Sequence, residues 1–80
     1  MAKRRIRLFF NGDLVTEPVV YTMGHKFDVV TNIRGGEVFA NNGWLYIEVT
    51  GEDDEIDRAV EWVIDQGVRV DPVEGDIIAG

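Results

Sequence analysis

Asn32 stands where Asn is out of place. It lies within Asp28-Val29-Val30-Thr31-Asn32-Ile33, a β-branched and apolar run that reads as a strand, a setting that disfavours Asn. An amide carries donors and acceptors together, which suits a zwitterionic amino-acid ligand. An edge-strand Asn that is solvated, or that caps a bulge, fits the same letters. The acids Glu52 to Asp57 could gather a hard cation, but they lack the alternating Asp/Asn-Gly-Glu spacing of a calcium loop. A solvated helix start accounts for them, since negative charge suits the positive end of the helix dipole. His25 has no evident nucleophile to serve as general base and reads as a surface residue near a helix end. Gly35-Gly36 is not followed by the Lys-Ser/Thr of a phosphate loop and reads as a bulge or bend. With no Cys and no Ser, thiolate zinc sites, disulfides and thiol or serine nucleophiles are excluded. The expectation is a non-enzymatic protein without metal or cofactor.

The elements that must position these residues fit one domain, residues 1–80, with order expected over 4–73 and a loosely held C-terminal tail. A chain of 80 residues buries only about 60–65% of its unfolded surface, so association with another copy would help it. The net charge of −7 opposes nucleic acid and anionic membranes. Lys3, Arg4, Arg5 and Arg7 crowd the start, but no apolar h-region follows them, so no signal peptide is read. The apolar runs are too short to cross a bilayer. A soluble cytoplasmic protein is expected.

Residues 4–10 alternate, with Ile6, Leu8 and Phe10 inward and Arg5, Arg7 and Phe9 outward. Asn11-Gly12-Asp13 breaks this strand. Thr16 is read as a helix cap and Pro18 as part of the first turn, ahead of Val19, Val20, Met23 and Phe27 on one helical face. Gly24 either weakens that helix or permits close approach to a sheet. Two β-rich runs then flank Asn41-Asn42-Gly43, a hairpin signal. In the first arm Val29, Thr31 and Ile33 share a face, with Val38 and Ala40 rejoining it after the Gly-Gly break. In the second, Leu45, Ile47 and Val49 point inward.

A helix follows, capped by Asp53 or Asp54, with an apolar stripe of Ile56, Ala59, Val60, Val63 and Ile64. Asp54 and Arg58 are spaced for an i, i+4 pair, and Gly67 suits C′. Val68 to Asp71 is a last strand stopped by Pro72. The order β-α-β-β-α-β predicts an α+β, ferredoxin-like sandwich. Its antiparallel sheet has strand order 4-1-3-2, and both helices lie on one face.

The outward residues share the bare face. Phe9, Trp44 and Tyr46 form an aromatic patch there with Arg7 among them. Arg stems packing across strands would cover it. As a contact surface it has the residue types enriched at interface hot spots. It lacks the Gly and aromatic signature of RNA-recognition sheets, so nucleic acid is the weakest reading.

The whole pattern resembles the NIL domain, a ferredoxin-like module named for an Asn-Ile-Leu motif. The resemblance is carried by Phe27-Asp28-Val29-Val30-Thr31-Asn32-Ile33, by Gly43-Trp44-Leu45 and by Gly51. Ala59-Val60-Glu61-Trp62 and Gly67-Val68-Arg69-Val70 extend it over residues 5–75. The family includes the C-terminal regulatory domain of methionine-importer ATPases, domains fused to iron–sulfur ferredoxin modules, and short free-standing proteins. In the importers the resemblance implies a dimer that binds methionine and shuts transport down. Asn32 and Ile33 match the first two motif positions, and Arg34 stands where the motif has Leu. The implied ligand site is Asn32, Ile33, Arg34 and Gly35, taking methionine or a related amino acid in a homodimer. Transport or electron transfer would need a partner chain. The alternative is a protein-interaction module with no small-molecule site, whose interface is Phe9, Trp44, Tyr46 and Arg7.

Overall fold

Ile6, Leu8 and Phe10 are buried, and the residues between them are not. That alternation sets the layers of the computed structural model, which describes residues 1–73. Strand β1 is Ala2–Asn11, followed by a 3₁₀ turn over Gly12–Thr16 and helix α1, Val19–Lys26. Strands β2, Val30–Val38, and β3, Asn42–Gly51, form a hairpin. Helix α2 is Asp53–Asp65 and strand β4 is Arg69–Pro72. The sheet runs β2-β3-β1-β4 with every pairing antiparallel, the expected order. The tail expected to be loose lies outside the described residues beyond Val73.

The core is one apolar cluster between sheet and helices. Ile6, Leu8, Ile47 and Val49 from the central strands meet Met23 of α1 and Ile56, Ala59 and Val63 of α2, each at most 2% exposed. A fully buried aliphatic side chain contributes about 1.5–3 kcal/mol, so this set dominates the fold. Among the described residues no helix is long and apolar enough to cross a membrane.

Local chemistry departs from expectation at several points. Pro18, not Thr16, is the residue before α1, and the Thr22 N–H donates to its carbonyl at 2.9 Å. The strand does break at Asn11-Gly12-Asp13, and the break opens a 3₁₀ turn. A Cβ on Gly24 would meet Thr31 Oγ1 at 3.6 Å, an ordinary contact, so close approach does not require that glycine. Glu52, not Asp53 or Asp54, is the N-cap of α2 and uses its backbone carbonyl, which accepts from Glu55 and Ile56. Arg58 pairs with Glu55 at 2.9 Å rather than with Asp54. Ile64 is half exposed on the flank of the stripe, while Val63 beside it is fully buried. Pro72 does not stop β4 but ends it, opposite Ile6. An edge position tolerates it, having no ladder donor to lose.

The hairpin turn sits upstream of the expected Asn41-Asn42-Gly43. Phe39 N–H donates to the Asn42 carbonyl at 2.7 Å, and Gly43 already pairs with Val38 in the ladder. Ala40 therefore lies outside the strand, and Val38 is 61% exposed instead of rejoining the core. The bulge falls one residue early: Ile33 pairs with Ile47 and Gly35 with Tyr46, leaving Arg34 as the extra residue.

Gly36 follows the bulge with φ 145°, and a Cβ there would lie 2.4 Å from the Trp44 carbonyl oxygen. Gly35 has open space around it. Gly36→Ala should cost more than about 1 kcal/mol in urea unfolding, and Gly35→Ala less than about 0.5 kcal/mol. Equal losses for the two would be incompatible with the contact at Gly36.

Candidate binding site

β2 is an edge strand, bonded to β3 on one side only. Ladder register puts Asn32 directly opposite Glu48, and Glu48 opposite Arg5. Opposed residues in an antiparallel pair share a face, so the three form a row across the bare side of the sheet. Asn32 is exposed. The Glu48 side chain is only 13% exposed and accepts a hydrogen bond from Arg5 Nε at 3.0 Å. That bond holds the Glu48 carboxyl below its ordinary range; burial works against it, and the charges of Lys3, Arg5 and Arg34 add to it. A carboxyl with a depressed folded pKa adds stability above its unfolded value. That stability is lost as pH falls through the folded value.

The other sequence-predicted site residues do not all share this face. Ile33 pairs with Ile47 on the helix side, yet is 58% exposed because helix cover thins over the edge strand. Arg34 is exposed at the bulge, and Gly35 is half-buried opposite Tyr46. The bulge thus brings residues of both sheet faces to one edge. Glu48 and Arg5 were legible as outward residues, but their alignment with Asn32 needed the register, which single-strand alternation does not supply.

The predicted interface residues lie together. Phe9 pairs with Trp44, and Arg7 with Tyr46. The Arg7 guanidinium stands 5.8 Å from the Trp44 ring centre and 6.0 Å from that of Tyr46. Arg69 stacks over Phe9 at 4.2 Å and binds Asp71 at 3.0 Å. All three rings are half-buried, under arginines of their own face.

Two clefts on the helix side went unread because the 3₁₀ turn was not foreseen. One, about 150 Å³, is lined chiefly by Phe10, Leu14, Val15, Val19, Val38 and Leu45. Its neighbour, about 280 Å³, shares Leu14, Glu17, Pro18 and Val19 and reaches Trp62 and Gln66. None of Asn32, Ile33, Arg34 and Gly35 lines either cleft. The acidic start of α2 is engaged elsewhere: Asp57 and Asp53 lie 2.7 and 3.6 Å from Arg4, and Glu55 accepts the Asp28 N–H at 2.9 Å.

Residues 4–72 match the family model of the NIL domain. The methionine import ATP-binding protein MetN 3 of Bacillus cereus is 32% identical over 78 residues, covering 92% of this chain and 21% of that protein. MetN 1 of Listeria monocytogenes is 32% identical over 73 residues, with 86% and 22% covered. The chain therefore spans about a fifth of the length of the curated relatives it matches. Among solved structures, the C-terminal domain of an ABC transporter / ATP-binding protein from Enterococcus faecalis superposes with a TM-score of 0.80 at 24% identity. That match covers 90% of this chain and 84% of the other, and establishes likeness of fold. The family match runs from the first strand to the last, and on it this chain belongs to the NIL domain family.

Proposed function

We propose that this chain is a non-catalytic regulatory domain of the cytoplasm. It binds methionine or a related amino acid beside Asn32, as a homodimer. The observation that carries this is the alignment of Asn32 with Glu48 on an open strand edge. Side by side, an amide and an ionised carboxylate offer donors, an acceptor and negative charge, which complement the carboxylate and ammonium of an amino acid. Kinship with methionine-import proteins favours methionine among amino acids. Ile33 and the bulged Arg34 border the same edge and present an apolar and a cationic side chain to it.

The edge also supports the dimer. Val30, Ile33, Val38 and Phe39 are each at least 58% exposed, along β2 or just past it. A long apolar edge with free backbone groups is what proteins ordinarily blunt or cover. A second copy related by a two-fold axis would cover it by pairing β2 with β2.

A second reading rests on a different observation, the Phe9, Trp44, Tyr46 and Arg7 group on the bare face. It takes that face as a contact surface for a partner protein, with or without a ligand at Asn32.

Calorimetric titration of methionine into the purified, folded chain should give saturable heat. Asn32→Ala should weaken binding by about tenfold, the scale of one lost hydrogen bond to a charged group. No heat at millimolar methionine would remove methionine as the ligand. In sedimentation, the chain should run as a dimer that Ile33→Lys converts to monomer and Trp44→Ala does not. A monomer at high concentration would refute the dimer.

A further inference from the structure

We propose that the bare sheet face docks an acidic polypeptide of another protein, with Arg7 as its central anchor. The inference rests on the reading of that face as a contact surface and adds the chemistry of the partner. Lys3, Arg5, Arg7 and Arg69 stand on this face by alternation and register, which is half of the eight Lys and Arg residues. Facing them are Glu37, Glu48 and Asp71. The other described carboxylates belong to the 3₁₀ turn, the helices and their loops. A chain of net charge −7 thus turns its cationic side to the one face without helices.

Arg7 is the central arginine of this face, and among the described residues it holds no carboxylate. Asp71 is its register neighbour on β4, yet the Asp71 carboxylate is held by Arg69 at 3.0 Å. Among the described residues no carboxylate takes Arg7; its guanidinium rests against Trp44 and Tyr46 instead. Such a plane is pre-oriented and keeps its N–H fork for a carboxylate from outside, with two aromatic rings beside it for apolar side chains. Arg with Trp and Tyr is also the set that dominates interface energetics.

A polypeptide fits this face better than a nucleic acid. Its carboxylates can be spaced to meet Arg7 and Lys3 while apolar residues cover the rings. A phosphate on every nucleotide could not avoid Glu48, Asp71 and Glu37. A second copy offering its acidic α2 fits poorly too, because α2 and the bare face lie on opposite sides of the sheet. Docking one on the other would be head-to-tail and would link copies into chains or rings, not a two-fold dimer.

The test is fluorescence anisotropy of a labelled random Glu/Tyr copolymer with the full chain, alongside a labelled oligouridylate. Binding to the copolymer should be saturable at low salt and weaken as salt rises. Arg7→Gln and Trp44→Ala should each weaken it about tenfold. Lys26→Gln on α1 should leave it unchanged, and unfolding midpoints should confirm that all variants fold. Loss in Trp44→Ala but not in Arg7→Gln overturns the acidic preference and leaves the contact surface standing. Loss in neither, or no binding at low salt, overturns both. Oligouridylate bound as tightly as the copolymer would assign the face to nucleic acid. Chains of copies in sedimentation, abolished by Arg7→Gln, would assign it to a second copy.

Discussion

Alternate residues in the middle of the two central strands are shut away from water, and the rest of the molecule follows from that. Ile6 and Leu8 on β1 and Ile47 and Val49 on β3 are each at most 2% exposed; Ile6 lies opposite Ile47, Leu8 opposite Leu45 and Val49 opposite Arg4. A one-residue slip between these strands would turn this set onto the bare face and bury its charged neighbours, so register is tightly held. The same constraint delivers Arg5, Arg7, Phe9, Trp44, Tyr46 and Glu48 to a single surface. Their grouping is a by-product of core packing before it is anything else.

Helix cover is uneven, and this gives the sheet its one unfinished side. α2 has 13 residues and packs on β3 and β4; α1 has 8 and is the helix packed on β2. A helix as short as α1 is marginal in isolation and owes its stability to Val19 and Met23 packing. Toward the hairpin the shield gives out, which is why Ile33 and Val38 occupy inward positions and yet are exposed. The bulge at Arg34 resets the parity of the strand there. It lets Gly35 and Glu37 continue the bare face opposite Tyr46 and Trp44.

Much of this was legible in the letters. Strict alternation in β1 and β3 and a period of 3.6 in α2 are strong signals, and they carried the fold, the strand order and the residues of the bare face. What failed was local. Asn41-Asn42-Gly43 carries the letters of a turn, but Gly43 is required one step later, where a Cβ would crowd the Glu37 carbonyl and Val38. Asp53 and Asp54 are better capping types than Glu52, but the N-cap here makes no side-chain hydrogen bond, so type preference had nothing to act on. At the candidate site the residues on β2 were readable, whereas the Asn32–Glu48–Arg5 row was not. It depends on how three strands align, and that is settled by packing between segments far apart in sequence.

The composition of the bare face is not explained by folding. Exposed ion pairs are worth about 0–1 kcal/mol each, and cation–π contacts at exposed sites about 0.5–1 kcal/mol. Each buried aliphatic of the core contributes about 1.5–3 kcal/mol. The exposed Arg69–Asp71 pair and the stacking of Arg7 and Arg69 on their rings therefore add little to what the core already supplies. Plain Thr and Lys at those outward positions would satisfy the sheet nearly as well and would cover no aromatic surface that needs covering. Three half-buried rings and an arginine that holds no carboxylate among the described residues are an arrangement that the core does not require. Physical reasons for it are to be sought in what the face meets.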